Sequence, residues 1–323
     1  RAARTLGRRL AAPLGPKIFP LHPLGRSRSY GVIAREGKSL GIPGFLMSRA
    51  RRLSGCGSCG SGRPAVSVEL VQKLQKLNGE IHTLYREGKH TQALGVAEEA
   101  YALASEAFGE RHLYVASTLN NMALMNKLKG HLGEANRQYS LAMDIYKDQT
   151  GEEHASYATA VHNKALVERL QKRPDEAVRL FSKALDIRRK VLGTEHVDVG
   201  VTMHNLGSAV RDLGEFDRAR ELQEHALTIL RRRLGSEHLT TATCMNALGL
   251  TLKRAEEYDE AIEMYQKALG IQRRSLGLKH EECLQTLHNM AECYVEKGDT
   301  ERESAVRSEI MRLVDAMQKD DDS

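Results

Sequence analysis

The sequence predicts an all-α fold, a right-handed superhelical solenoid of about six stacked helical hairpins. Three observations point to it. His112, His154, His196, His238 and His280 recur 42 residues apart, each closing a Gly-x-x-His segment that opens at Gly109, Gly151, Gly193, Gly235 or Gly277. Small residues return at fixed places: Ala123, Ala165, Gly207, Gly249 and Ala291 in the first helix of each unit, and Ala135, Ala177, Ala219 and Ala261 in the second. Turn signals such as Lys129-Gly130, Leu213-Gly214 and Lys297-Gly298 separate the two helices. A fixed period of this size marks a unit that buries its apolar face only by stacking on its neighbours.

The chain opens on a basic leader, residues 1–48. Residues 1–65 hold 13 Lys or Arg against one acid, Glu36, so the net charge of +6 conceals an acidic remainder. An Arg-rich, acid-poor start with some Ser matches an organelle transit peptide, and Arg28-Ser29-Tyr30 resembles a mitochondrial processing site. The expectation is a cleavable mitochondrial leader. The alternatives are another organelle, or a cytoplasmic protein with a disordered basic tail. Residues 49–66 read as a Gly/Ser-rich linker. Within it Cys56 and Cys59 form a lone C-x-x-C with no second pair at zinc-site spacing. Cys244, Cys283 and Cys293 fall inside helices and read as small packing residues in a reducing compartment.

The array follows, residues 67–318, in units near 70–111, 112–153, 154–195, 196–237, 238–279 and 280–321. The first helix of a unit (A) carries an apolar face such as Leu119, Met122 and Ala123, at i, i+3, i+4. The second (B) adds Ala142, Ala184, Ala226 and Ala268, so that the two helices approach closely, with Tyr139, Phe181 and Tyr265 filling the remaining volume. Pro174 stands where a B helix begins and its missing N–H costs little. The last unit has Glu303 where the others carry the B-helix alanine, as suits a polar cap, and residues 319–323 form an acidic tail.

The pattern resembles the tetratricopeptide repeat, and more narrowly the 42-residue variety of kinesin light chains and nephrocystin-3-like proteins. It is carried by Leu119-Asn120-Asn121-Met122-Ala123, by Met203-His204-Asn205-Leu206-Gly207 and by the stretch from Ala184 to Gly193. The resemblance covers about residues 68–317 and implies a protein-interaction scaffold. Two departures argue against a motor light chain. Leu113, Ala155, Val197, Leu239 and Glu281 stand where a proline commonly follows the loop histidine, and the region before the repeats is Gly- and Arg-rich rather than a heptad coiled coil.

The five histidines are expected to pin loops rather than to hold metal. Equivalent positions in stacked units lie about 8–10 Å apart, whereas zinc needs its ligands at about 2 Å. A second stripe on the A helices, offset by one residue, reads as three rails. Asn78, Asn120, His162, His204, Asn246 and His288 can hydrogen-bond a ligand backbone. Leu124, Leu166 and Leu250, with Ser208, form an aliphatic rail; Lys127, Arg169, Arg211 and Lys253 form a basic ladder. The resemblance places these positions in the concave groove, where they would suit an extended acidic peptide with an apolar anchor.

Arg188-Arg189-Lys190, Arg231-Arg232-Arg233 and Arg273-Arg274 close B helices, where positive charge complements the helix dipole. They also support the alternative reading, a structural subunit of an organellar ribonucleoprotein touching RNA. No P-loop, G-x-G-x-x-G, H-E-x-x-H or G-x-S-x-G occurs, and no apolar run approaches the ~18 residues of a membrane span. Neither catalysis nor a cofactor is expected. The function expected is a scaffold for protein partners: an organellar adaptor, assembly factor or complex subunit.

Overall fold

The computed structural model describes residues 68–321. The basic leader, the linker and the Cys56/Cys59 pair lie outside the described residues. Twelve helices and no strand occur among those described, in six A/B hairpins. They are α1 (Val68–Arg86) and α2 (His90–Phe108), α3 (Leu113–Leu128) and α4 (Leu132–Thr150), α5 (Ala155–Leu170) and α6 (Pro174–Leu192), α7 (Val197–Asp212) and α8 (Phe216–Leu234), α9 (Leu239–Arg254) and α10 (Tyr258–Leu276), then α11 (Glu281–Lys297) and α12 (Thr300–Asp321). The all-α solenoid expected from the period is the fold observed.

Local chemistry sets each boundary. His112, His154, His196, His238 and His280 are the N-caps of α3, α5, α7, α9 and α11, in extended backbone. In each, Nδ1 accepts the backbone N–H two residues on (Tyr114, Ser156, Asp198, Thr240, Glu282) at 3.1–3.2 Å. An accepting Nδ1 leaves the proton of a neutral ring on Nε2, so each histidine does the work usually given to Ser or Asp at this position. The A-to-B turn needs a left-handed residue. Gly88, Gly130, Gly214 and Gly298 supply it, but Lys172 (φ 62°) and Glu256 (φ 65°) occupy it in the third and fifth hairpins.

The small residues are where the helices meet. Ala93, Ala135, Ala177, Ala219 and Ala261 are fully buried, as are Tyr139, Phe181 and Tyr265. Gly207 and Gly249 sit against larger neighbours: a Cβ would meet Gln223 Cγ at 2.8 Å in the first case and the Tyr265 ring at 2.8 Å in the second. Gln223 occupies the aromatic register of Tyr139, Phe181 and Tyr265, and its Oε1 accepts from Thr251 Oγ1 at 2.7 Å. At the C-terminal end Val306, Ile310, Leu313 and Val314 of α12 pack onto the main core, and the helix itself runs through Asp321.

Each helix packs on its predecessor and successor, and successive A helices also approach one another from hairpin to hairpin: α3 with α5, α5 with α7, α7 with α9, α9 with α11. The array therefore closes toward its A helices, and these form the inner wall.

Candidate functional site

The offset stripe of α1, α3, α5, α7, α9 and α11 lies along this inner wall, and much of it is covered. Asn120, Leu124, Lys127, His162, Leu166, His204, Ser208 and Arg211 are buried; Asn78, Arg169, Asn246, Leu250 and Lys253 are half-buried; His288 is exposed. Neighbouring hairpins provide the cover, because residues 43 apart meet across the A–A contact. Asn121 Nδ2 donates to Asn78 Oδ1 at 2.7 Å, and Asn163 Nδ2 donates to Asn120 Oδ1 at 3.3 Å. His162 Nε2 lies 3.4 Å from the Asn205 amide. Further along, Asn246 Nδ2 donates to Thr286 Oγ1 at 2.9 Å. Much of the amide/imidazole rail thus stitches hairpins together.

Two of these histidines are held neutral. Burial, with Arg169 and Arg211 alongside, pushes His204 down to about 3. His162 is held well below its usual value by burial, Arg188 and Lys127. Arg188 Nη1 approaches His162 Nδ1 at 3.4 Å and also donates to Thr202 Oγ1 at 2.6 Å and to the Asp198 carbonyl at 3.2 Å. This arginine turns into the wall and does not simply decorate a helix end, as the dipole argument for its triplet implied, because Thr159, Thr202 and the Asp198 carbonyl form a pocket of acceptors for it.

The basic ladder is uneven. Lys127 is only 8% exposed and makes no ion pair or hydrogen bond among the described residues; desolvation pushes its ammonium down to about 8. Arg169 Nε and Arg211 Nη2 both donate to the Asp212 carboxylate, at 2.7 and 3.0 Å. Lys253 pairs with the well-exposed Glu292 of the next A helix.

Where A helices end and turn into B helices, residues of the third, fourth and fifth hairpins border an open cleft of about 700 Å³. Its wall includes Arg169, Lys172, Pro174, Arg211, Asp212, Phe216 and Arg254. Four cations and one carboxylate thus line it, and Lys172 and Arg254, both exposed, have no ion pair among the described residues. Sequence reading found Arg169 and Arg211 but missed Lys172, Asp212 and Arg254. The available signal was the register: Leu128, Leu170, Asp212 and Arg254 stand 42 apart, so an apolar position becomes charged in two consecutive hairpins.

The other basic runs are largely spent. Lys190 pairs with Glu153 at 2.8 Å, Arg232 with Glu195 at 2.6 Å, and Arg274 with Glu237, each joining a B-helix end to the Gly-x-Glu-His loop of the preceding hairpin. These pairs are exposed, each worth about 0–1 kcal/mol. Among the described residues no group of three His, Cys, Asp or Glu could hold a metal ion, and no helix is long and apolar enough to cross a membrane. Cys244, Cys283 and Cys293 are buried, and burial pushes their thiols up to about 12, 11 and 11.

The profile of the tetratricopeptide repeat matches residues 74–148, 156–232, 201–274 and 246–305. Among solved structures, a glutamine-to-methionine variant of the "putative kinesin light chain nearly identical TPR-like repeats" of Podosopora anserina is similar at 23% identity and TM-score 0.55, over 62% of this chain and 95% of that one. BtubC (BKLC) from P. vanneervenii is similar at 19% identity and TM-score 0.56, over 78% of this chain and 93% of that one. At these identities the likeness is one of fold. No curated protein matches the sequence significantly.

Proposed function

The chain belongs to the tetratricopeptide repeat family, a family of protein-interaction scaffolds, and from that premise we propose that its inner wall captures an extended acidic peptide carrying an apolar anchor. The observation that carries this reading is the ladder of cations on the A helices, and within it the state of Lys127. A buried ammonium without a counter-charge is costly, and an anion arriving along the groove offsets that cost. The half-buried Leu250 offers apolar contact for the anchor, whereas Leu124 and Leu166 are taken up in the core. The amide rail contributes less to recognition than its composition implied, since its atoms are engaged between hairpins.

In this reading the protein is an organellar adaptor, assembly factor or complex subunit, and it acts by holding a partner rather than by catalysis. The basic leader is what supports organellar residence; a fluorescent fusion lacking residues 1–48 is expected to lose mitochondrial localisation that the full chain shows. The RNA alternative would have to displace the exposed pairs that join the B-helix cations to neighbouring loops.

The direct test substitutes Lys127→Gln together with Lys253→Gln, which removes charge without burying a new one. After RNase treatment, affinity purification with quantitative mass spectrometry is expected to lose a defined protein set from the variant, with its helical circular dichroism unchanged. A client set identical to that of the wild type would rule out the ladder as the recognition element.

A further inference from the structure

The cleft at the A-helix ends has more positive charge than its own structure uses. Asp212 already accepts from Arg169 and Arg211, as a peptide carboxylate would. Lys172 and Arg254 then add two cations, giving a lining of net +3 from four bases and one acid. Both depart from the repeat pattern. Lys172 occupies a left-handed turn position that is glycine at 88, 130, 214 and 298 and Glu256 in the fifth hairpin, and Arg254 replaces the leucine of 128 and 170.

We infer that this cleft is a receptor for a phosphate monoester borne on a side chain of the bound partner peptide. One more carboxylate brings a single charge and leaves most of the excess in place. A phosphate monoester brings about −1.5 to −2 and three strong acceptor oxygens, which guanidinium forks engage in pairs. Phe216 and Pro174 supply the apolar wall that the carrying side chain requires, and about 700 Å³ accommodates a phosphorylated residue with part of its neighbours. Asp212 acts in this arrangement as an internal competitor that keeps the arginines oriented until the phosphate displaces it. The inference rests on the groove reading to the extent that the phosphate is delivered by a peptide.

The experiment titrates four probes into the full chain by isothermal calorimetry: N-acetyl-phosphotyrosine amide, N-acetyl-phosphoserine amide, N-acetyl-aspartate amide and inorganic phosphate. Saturable binding is expected for at least one phosphorylated amino acid, at least tenfold tighter than for the aspartate probe or for inorganic phosphate. Arg254→Ser with Lys172→Gly is expected to weaken it tenfold or more. Lys172→Gly restores the residue most hairpins use, so that loss does not reflect unfolding. Asp212→Asn is expected to tighten binding several-fold, a gain that a damaged fold does not produce. Equal binding of aspartate and phosphorylated probes, or binding that survives Arg254→Ser with Lys172→Gly, would overturn the proposal. Inorganic phosphate binding as tightly as the amino-acid probes would make this a free-phosphate site and overturn the peptide assignment. The groove reading fails separately: it falls if Lys127→Gln with Lys253→Gln leaves the client set unchanged, whatever the cleft binds.

Discussion

At the scale of single residues, burial governs both histidine and lysine on the inner wall. Neutral His162 and His204 fill space that a charged imidazole could not, since Arg188, Arg169, Arg211 and Lys127 surround them. The N-cap His112 is likewise lowered by burial. Below pH 6.5 the unfolded chain takes up protons that these folded rings refuse. Their contribution to stability is therefore full above 6.5 and falls as the pH drops, for His204 down to about 3, by up to about 1.4 kcal/mol per pH unit for each such ring. Lys127 acts at the other end. Its folded-state value of about 8 lies below the usual 10.5, so the charged form is a cost that deprotonation relieves as pH rises through 8. Urea denaturation from pH 4 to 9 is expected to show the acid loss, flattened in His204→Asn, because asparagine already occupies this register at 120 and 246. In the same series Lys127→Met should exceed wild type by about 1–3 kcal/mol at pH 7, with the margin shrinking above pH 8. A flat acid limb, or a Lys127→Met margin independent of pH, would contradict these assignments.

At the scale of the helix pair, closeness of approach is set residue by residue even though the period looks uniform. Ala123 and Ala165 tolerate Tyr139 and Phe181 in their hairpins, whereas at Gly249 a methyl would stand 2.8 Å from the Tyr265 ring. A buried ring cannot yield cheaply, so overpacking outweighs the roughly 1 kcal/mol of helix propensity that alanine adds. Gly249→Ala is expected to destabilise by about 1–2 kcal/mol. Gly270→Ala, whose Cβ would meet nothing nearer than Arg274 Nη1 at 3.6 Å, should stabilise by about 0.5–1 kcal/mol. Chemical denaturation of the pair decides it: stabilisation by both would show that propensity, not packing, controls these glycines.

At the scale of the molecule, cohesion runs from each hairpin to the next. The asparagine stitches across the A helices and the charge clamps from B-helix ends to preceding loops both join adjacent units. An array built so needs a terminal unit whose outer face tolerates water. Helix α12 covers α11 at the end of the described residues, presenting Val306, Ile310, Leu313 and Val314 inward while its outer face carries charge and the exposed Met311. A chain ending at Gly298 should melt at lower temperature and scatter light on warming, since the apolar face of α11 would lose its cover. Unchanged melting would mean that the last hairpin is an appendage and not a cap.

The 42-residue period, the hairpin limits, the histidine caps and the small-residue contacts could all be read from the chain alone. Each depends on neighbours within a turn or on a pattern that repeats, and His112 to His280 announce both at once. The state of the groove could not be read that way. Whether Asn120 faces a ligand or Asn163, whether Lys127 is solvated or buried, and which cations around Asp212 remain unpaired all depend on groups one or two hairpins away. Those groups meet through the stacking of one hairpin on the next, which composition at a single position does not encode. The cleft arises where three hairpins converge on residues that break the repeat, and a reading guided by the period passes over such residues.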